Sequence, residues 1–218
     1  HAPKQDRAYQ IGITSQKNII CYVKERGLFY FDEQQQEFIR LKNKLPNNIK
    51  KFVIDNENRL VFLTEEGKLY LYFFAFDKSK PLLSFIKIIE HPGAISTIYL
   101  TDESFIADSK RSITLFSNYI PQRTINLPRE KNVSQIIQQN NLLFISFIEG
   151  ECMKYNLEDG SEEKLSNLPE KISIFTIYNS SQDVLWIGTD GQGILKVYKY
   201  KSPFHTIKTN YPTRCFCE

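Results

Sequence analysis

Five times along this chain a glycine or serine opens an apolar run: Gly27 in RGLFYF, Gly67 in EGKLYLY, Ser112 in RSITLF, Gly150 in EGECMKY and Gly193 in QGILKV. The intervals are 40, 45, 38 and 43 residues. Each anchor follows a short apolar segment (NIICYV, RLVFLT, SFIADS, LLFISF, VLWIGT), and each of those follows another, from YQIGIT through KKFVID, STIYLT and SQIIQQ to IFTIYN. A fourth stretch closes each unit: EFIRL, PLLSFIKI, RTINL, EEKL and FHTI. Four short strands recurring every 40 to 45 residues predict an all-β fold built of β-propeller blades. A helical solenoid of that period would need apolar residues at three-and-four spacing over a dozen positions, and no stretch shows it.

The repeat places blades at 8–46, 47–92, 93–130, 131–170 and 171–211 of a single propeller. The closing TRCFCE is in phase with the first strand of the other units, so 212–218 reads as the first strand of a further blade. We therefore expect the 218 residues to be part of a larger propeller of about seven blades, with a closed five-blade ring as the runner-up. The glutamine runs at 34–36 and 138–139 are expected in hairpin turns.

Composition agrees with strands. Aromatic residues make up 13% of the chain, 16 Phe and 12 Tyr against 1 Met, within an ordinary 41% hydrophobic and 24% charged content. The net charge of +3 is spread without a block of like charges, so no nucleic-acid partner is expected. Lys196, Lys199 and Lys201 come nearest to a basic stripe, and the alternating Lys199 and Lys201 read as the wet face of a strand. The longest apolar run, LYLYFFAF at 69–76, is far short of the roughly 20 residues that cross a bilayer. Cys21, Cys152, Cys215 and Cys217 form no disulfide framework and read as small buried hydrophobes.

DVLWIGTDGQGILKVYKY, 183–200, holds the densest glycine cluster. Glycines 188, 191 and 193 spell G-x-x-G-x-G between two strands, whereas a phosphate loop needs a helix N-terminus directly after its glycines. Asp190-Gly191 predicts a hairpin turn instead. Trp186 reads as core, alternating with Gly188 on one strand face, with Leu185 and Ile187 on the other.

LWIGTDGQGILKV also resembles the two-component regulator propeller repeat, at Leu185, Trp186, Ile187, Gly188, Thr189, Gly191 and Gly193. Fainter copies keep Thr64 and Gly67 in VFLTEEGKL and Gly27-Leu28 in ERGLFYF, while the unit around Ser112 keeps only the apolar pattern. The resemblance implies a periplasmic, non-catalytic sensor segment of a Bacteroidetes hybrid two-component histidine kinase. Such a segment binds an oligosaccharide or a partner, self-associates in the full sensor, and reaches the membrane only through segments outside this chain. A propeller-type carbohydrate-active enzyme or lyase is the alternative, and a protein-interaction scaffold the next.

Catalytic signatures are sparse. His1, His91 and His205 are isolated, G-x-S-x-G does not occur, and the pairs Glu65-Glu66 and Glu162-Glu163 are expected in turns. No metal or other cofactor is expected. In a four-stranded blade, the turn between strands two and three and the link to the next blade emerge on one face, and binding residues favour such loops. The turns carry Glu25, Arg26, Glu66, Arg111, Glu149, Asp190 and Gln192, and the links Asn48, His91, Arg129 and Tyr211. Planar cationic, amide and aromatic groups suit sugars, which singles out Arg26, His91, Arg111, Gln192 and Tyr211 as candidate ligand-binding residues.

Overall fold

A computed structural model describes residues 8–77, 80–91, 93–101, 105–127, 130–165, 168–169, 172–180, 184–198 and 205–207. They form five four-stranded antiparallel sheets, each with its strands in chain order. The first holds β1 (Ala8–Ile13), β2 (Ile19–Val23), β3 (Gly27–Asp32) and β4 (Glu37–Arg40). The second holds β5 (Ile49–Ile54), β6 (Arg59–Thr64), β7 (Leu69–Asp77) and β8 (Lys80–Ile89), and the third β9 (Thr97–Leu100), β10 (Phe105–Asp108), β11 (Ser112–Ser117) and β12 (Ile120–Asn126). The fourth holds β13 (Val133–Gln139), β14 (Leu142–Phe147), β15 (Cys152–Asn156) and β16 (Glu162–Lys164), and the fifth β17 (Ile174–Asn179), β18 (Val184–Thr189), β19 (Ile194–Tyr198) and β20 (His205–Ile207). These sheets are the blades of a β-propeller. The strand expected at 212–218 lies outside the described residues.

The chain divides into two compact units, 1–100 with 104–109 and 113–124, and 101–103 with 110–112 and 125–218. In the first unit, residues along β6 alternate between two neighbours. Leu60 and Phe62 pack with Ile20, Leu28 and Tyr30 of the first sheet, while Val61 and Leu63 pack with Ile98, Phe105 and Phe116 of the third. Both faces of β6 are therefore dry, which explains why RLVFLT lacks the polar alternation of a one-sided strand. Each fully buried Leu or Phe stabilises the fold by about 1.5–3 kcal/mol. In the second unit Leu185, Ile187, Leu195 and Val197 pack with Phe144, Ile174 and Ile177. Cys152 is sealed in the same cluster, and loss of water around its thiol pushes its pKa up to about 12, consistent with an inert packing residue.

The first strands of four of the five sheets share a local irregularity. The register shifts between Ala8 and Gln10 in β1, Ile49 and Lys51 in β5, Val133 and Gln135 in β13, and Ile174 and Thr176 in β17. Such bulges re-aim side chains. From them Gln10 reaches the backbone of β5 and Gln135 that of β17. Gly12 allows β1 to approach β5 closely, since a Cβ there would stand 2.8 Å from Ile54 Cδ1 and 3.0 Å from Phe52 Cε2.

Three sequence expectations need correction. Gln138 and Gln139 end β13, paired with Leu143 and Leu142, and the turn is made by Asn140 and Asn141. Asn140 takes the left-handed φ of 51° that Asn tolerates better than Gln. Glu162 and Glu163 lie in β16 rather than in a turn, because the outermost strand is wet and accepts charge. Trp186 is half-buried: it pairs across the sheet with Tyr178 and Lys196, and the Lys196 ammonium lies 5.2 Å from its ring.

Candidate functional site

The glycine cluster in the fifth sheet is a turn. Thr189 N–H donates to Gly193 O at 3.1 Å and the Thr189 hydroxyl to the same oxygen at 2.7 Å, after which the chain enters β19. Gly191 and Gly193 take φ of 78° and 80°, the left-handed region that glycine occupies without strain. The same closing bond runs from Thr64 to Lys68 at 3.0 Å and from Phe147 to Glu151 at 2.9 Å.

These turns are tied to the link that enters their own sheet. Glu65 N–H donates to Asn48 O at 2.8 Å, Ile148 N–H to Asn132 O at 2.9 Å, and Asp190 N–H to Ser173 O at 2.9 Å. In two sheets side chains repeat the connection: Asn48 Nδ2 donates to Glu66 Oε1 at 3.1 Å, and Asn132 Nδ2 to Glu149 Oε1 at 2.8 Å. The Asn48 amide, helped by Thr64, holds the Glu66 carboxyl below its usual range. Partial burial opposes ionisation of Glu149, but backbone N–H bonds and the Asn132 amide outweigh it and hold its pKa low. Turn and link thus form one rim in each of these sheets.

Between the β2–β3 turn of the first sheet and the link that leaves this sheet for the second lies a pocket of about 480 Å³. Its polar wall combines Lys24, Glu25 and Arg26 of the β2–β3 turn with Arg40 at the end of β4. Asn43, Asn47 and Asn48 of the β4–β5 link face them across the pocket, and Tyr22, Leu41, Leu45, Pro46 and Ile49 complete the lining. The lining holds three cations and one carboxylate, a second carboxylate, Glu66, is bonded to the lining Asn48, and the amides add donors and acceptors. The link is fastened at its back: Asn43 Nδ2 donates to Leu83 O at 2.6 Å and the Tyr72 hydroxyl to Lys44 O at 3.1 Å. Gly27, at φ 103°, brings the turn beneath Arg40, whose Nε would lie 3.6 Å from a Cβ at that position.

Of the five singled-out residues, Arg26 lines this pocket. His91 is held in its link, with Nδ1 3.0 Å from Gly93 O, Nε2 3.0 Å from Thr114 Oγ1 and the ring against Phe116. Arg111 is exposed in the β10–β11 turn, 3.8 Å from Glu130. Gln192 is exposed in the β18–β19 turn, and Tyr211 lies outside the described residues. The sequence reading missed Lys24, Arg40, Asn43 and Asn47. The signal was available in LKNKLPNN, 41–48, a link rich in amides and cations.

Among the described residues no group of three or more His, Cys, Asp or Glu side chains could hold a metal ion, and no helix is long and apolar enough to cross a membrane. No protein-family model matches the chain, and no curated protein does. Among solved structures it is similar to a crystal structure of virginiamycin B lyase from Staphylococcus aureus, with a TM-score of 0.67 and 13% identity over 95% of this chain and 74% of that one. At that identity the similarity is one of fold.

Proposed function

We propose that this propeller is a ligand-binding sensor segment of a periplasmic hybrid two-component histidine kinase, and that its ligand is a glycan fragment. Phosphotransfer would belong to another part of that protein. The observation that carries the reading is the pocket itself, lined by Lys24, Arg26 and Arg40 together with Asn43, Asn47 and Asn48 and the apolar Leu41, Leu45 and Ile49. Its volume is within the range of small-molecule sites. Guanidinium groups grip carboxylates through two parallel hydrogen bonds, and amides pair with vicinal hydroxyls, so sugars bearing a carboxylate suit it best. The repeat resemblance at Leu185–Gly193 supports the signalling context.

The second reading is a propeller enzyme acting on a glycan; the similar solved structure, a virginiamycin B lyase, lends it the fold alone. One experiment separates the two. Neutral and uronic-acid oligosaccharides are screened by thermal shift, and each mixture is then chromatographed. The sensor reading expects a raised melting temperature with uronic-acid fragments and unchanged sugar. Formation of a cleaved or unsaturated product would favour the enzyme, and no shift with any sugar would remove the glycan assignment.

A further inference from the structure

We infer that Asn43 and Asn48 make the pocket specific for acids whose hydroxyls are unsubstituted, an inference that rests on the sugar-acid reading above. Both amides are held nitrogen-first by the protein, which leaves their oxygens as acceptors for the ligand. An asparagine amide can donate or accept, and what the protein takes first decides what remains. Asn43 Nδ2 donates to Leu83 O, on β8, at 2.6 Å. A backbone carbonyl has no proton to give, so only the nitrogen end of the amide can face it. Asn48 Nδ2 donates to Glu66 Oε1 at 3.1 Å. The Glu66 carboxyl, with its pKa held below the usual range, is ionised at neutral pH and can only accept. The backbone of Asn48 is fixed as well, at a left-handed φ of 52° with its carbonyl taken by Glu65 N–H at 2.8 Å. Among the described residues neither Oδ1 has a protein partner.

The lining therefore holds two sets of groups with opposite needs. Lys24, Arg26 and Arg40 can only donate, and they suit the ligand's carboxylate. Oδ1 of Asn43, Oδ1 of Asn48 and the Glu25 carboxylate can only accept. A sugar ring with one acid and several hydroxyls answers both sets, because each hydroxyl brings a proton. An acid without hydroxyls answers the cations alone and offers the held acceptors nothing. Acceptors fixed in place by the protein discriminate most strongly against an analogue that lacks the donor.

Calorimetric titration of the 218-residue chain with two probes tests the inference. One is D-galacturonate; the other is tetrahydropyran-2-carboxylate, which keeps the ring oxygen and carboxylate and has no hydroxyl. The wild type should bind galacturonate about tenfold more tightly or better, and Asn43→Ala and Asn48→Ala should each shrink that preference by roughly threefold to tenfold. Affinity for the hydroxyl-free acid should stay unchanged. Glu66→Ala should shrink the preference likewise, and Glu66→Gln, which keeps an acceptor for Asn48 Nδ2, should restore it. Both probes carry one carboxylate, so their ratio cancels the loss of the Glu66 charge, and general damage to the fold would weaken both alike. The exposed Asn48 and Glu66 remain informative if Asn43→Ala unfastens the link. Equal wild-type affinities for the two probes, or a preference that none of these variants alters, would overturn the inference and leave an anion site standing. A wild type that binds neither probe would remove the sugar-acid reading and this inference together.

Discussion

Oε1 of Gln135, on β13, accepts the backbone N–H of Ile177, on β17, at 2.8 Å. The Thr176 hydroxyl donates to the same oxygen at 2.7 Å. Gln10, on β1 three sheets earlier, acts in the same way, accepting from Phe52 N–H at 2.6 Å and donating through Nε2 to Lys50 O at 2.8 Å. β17 and β5 each begin a sheet and have one strand neighbour, so N–H groups on the open side need a partner from elsewhere. A glutamine re-aimed by a bulge supplies it.

Truncating that amide leaves a partly buried N–H without its acceptor. Gln135→Ala should cost about 1–3 kcal/mol in urea-unfolding free energy. Gln135→Glu keeps an acceptor and should cost less at neutral pH. Equal losses for both variants would show that the acceptor is not what matters.

Lys51 is the third residue at such a bulge, with Nζ 3.3 Å from Thr97 Oγ1 and 4.5 Å from the Tyr99 ring. Burial, aided by the neighbouring Lys50 charge, lowers its pKa from 10.5 to about 8. Below pH 8 the lysine is charged in both the folded and unfolded chain, and folding bears the full desolvation cost. Between about 8 and 10.5 the folded form has released a proton that the unfolded chain still holds, so this group makes stability rise with pH, by up to about 3 kcal/mol. Unfolding titrations from pH 7 to 10.5 should show that rise against the background of other groups, and Lys51→Met should remove it. An identical pH slope in wild type and variant would contradict the assignment.

The turn glycines differ in what surrounds them. At Gly150, φ 91°, an added Cβ would stand 2.0 Å from Ile172 O, whereas at Gly191, φ 78°, it would meet nothing within 4 Å. Gly191→Ala should therefore cost about 1 kcal/mol for the left-handed backbone alone. Gly150→Ala adds a clash with backbone and should cost more than about 3 kcal/mol. Thermal unfolding of the two variants side by side checks the order, and equal losses would refute it.

Gly67 and Gly150 mark the same turn in two sheets, and their spacing from the next apolar run made the repeat legible, because a left-handed turn residue leaves a mark in the sequence. Gln10 and Gln135 left none: a glutamine in a strand reads as a wet position, and its bond depends on a bulge and on a sheet some 40 residues away. The rim was partly legible, since strand parity brings turn and link together, and the Asn48–Glu66 and Asn132–Glu149 pairs join them. Which rim residue lines a pocket depends on how each link is fastened. The bonds of Asn43 to Leu83 and of Tyr72 to Lys44 set the first link opposite Arg26 and Arg40, whereas both ring nitrogens of His91 are engaged within its own surroundings.

Isothermal titration calorimetry of a uronic-acid oligosaccharide into wild type, Arg26→Ala and Arg40→Ala measures the central claim most directly. Loss of one charged hydrogen-bonding group should weaken binding by roughly tenfold to a hundredfold, while His91→Ala, outside the pocket, should leave affinity unchanged in the folded protein. Wild-type binding that neither arginine variant weakens, or no heat from the wild type with acidic or neutral sugars, would contradict the account.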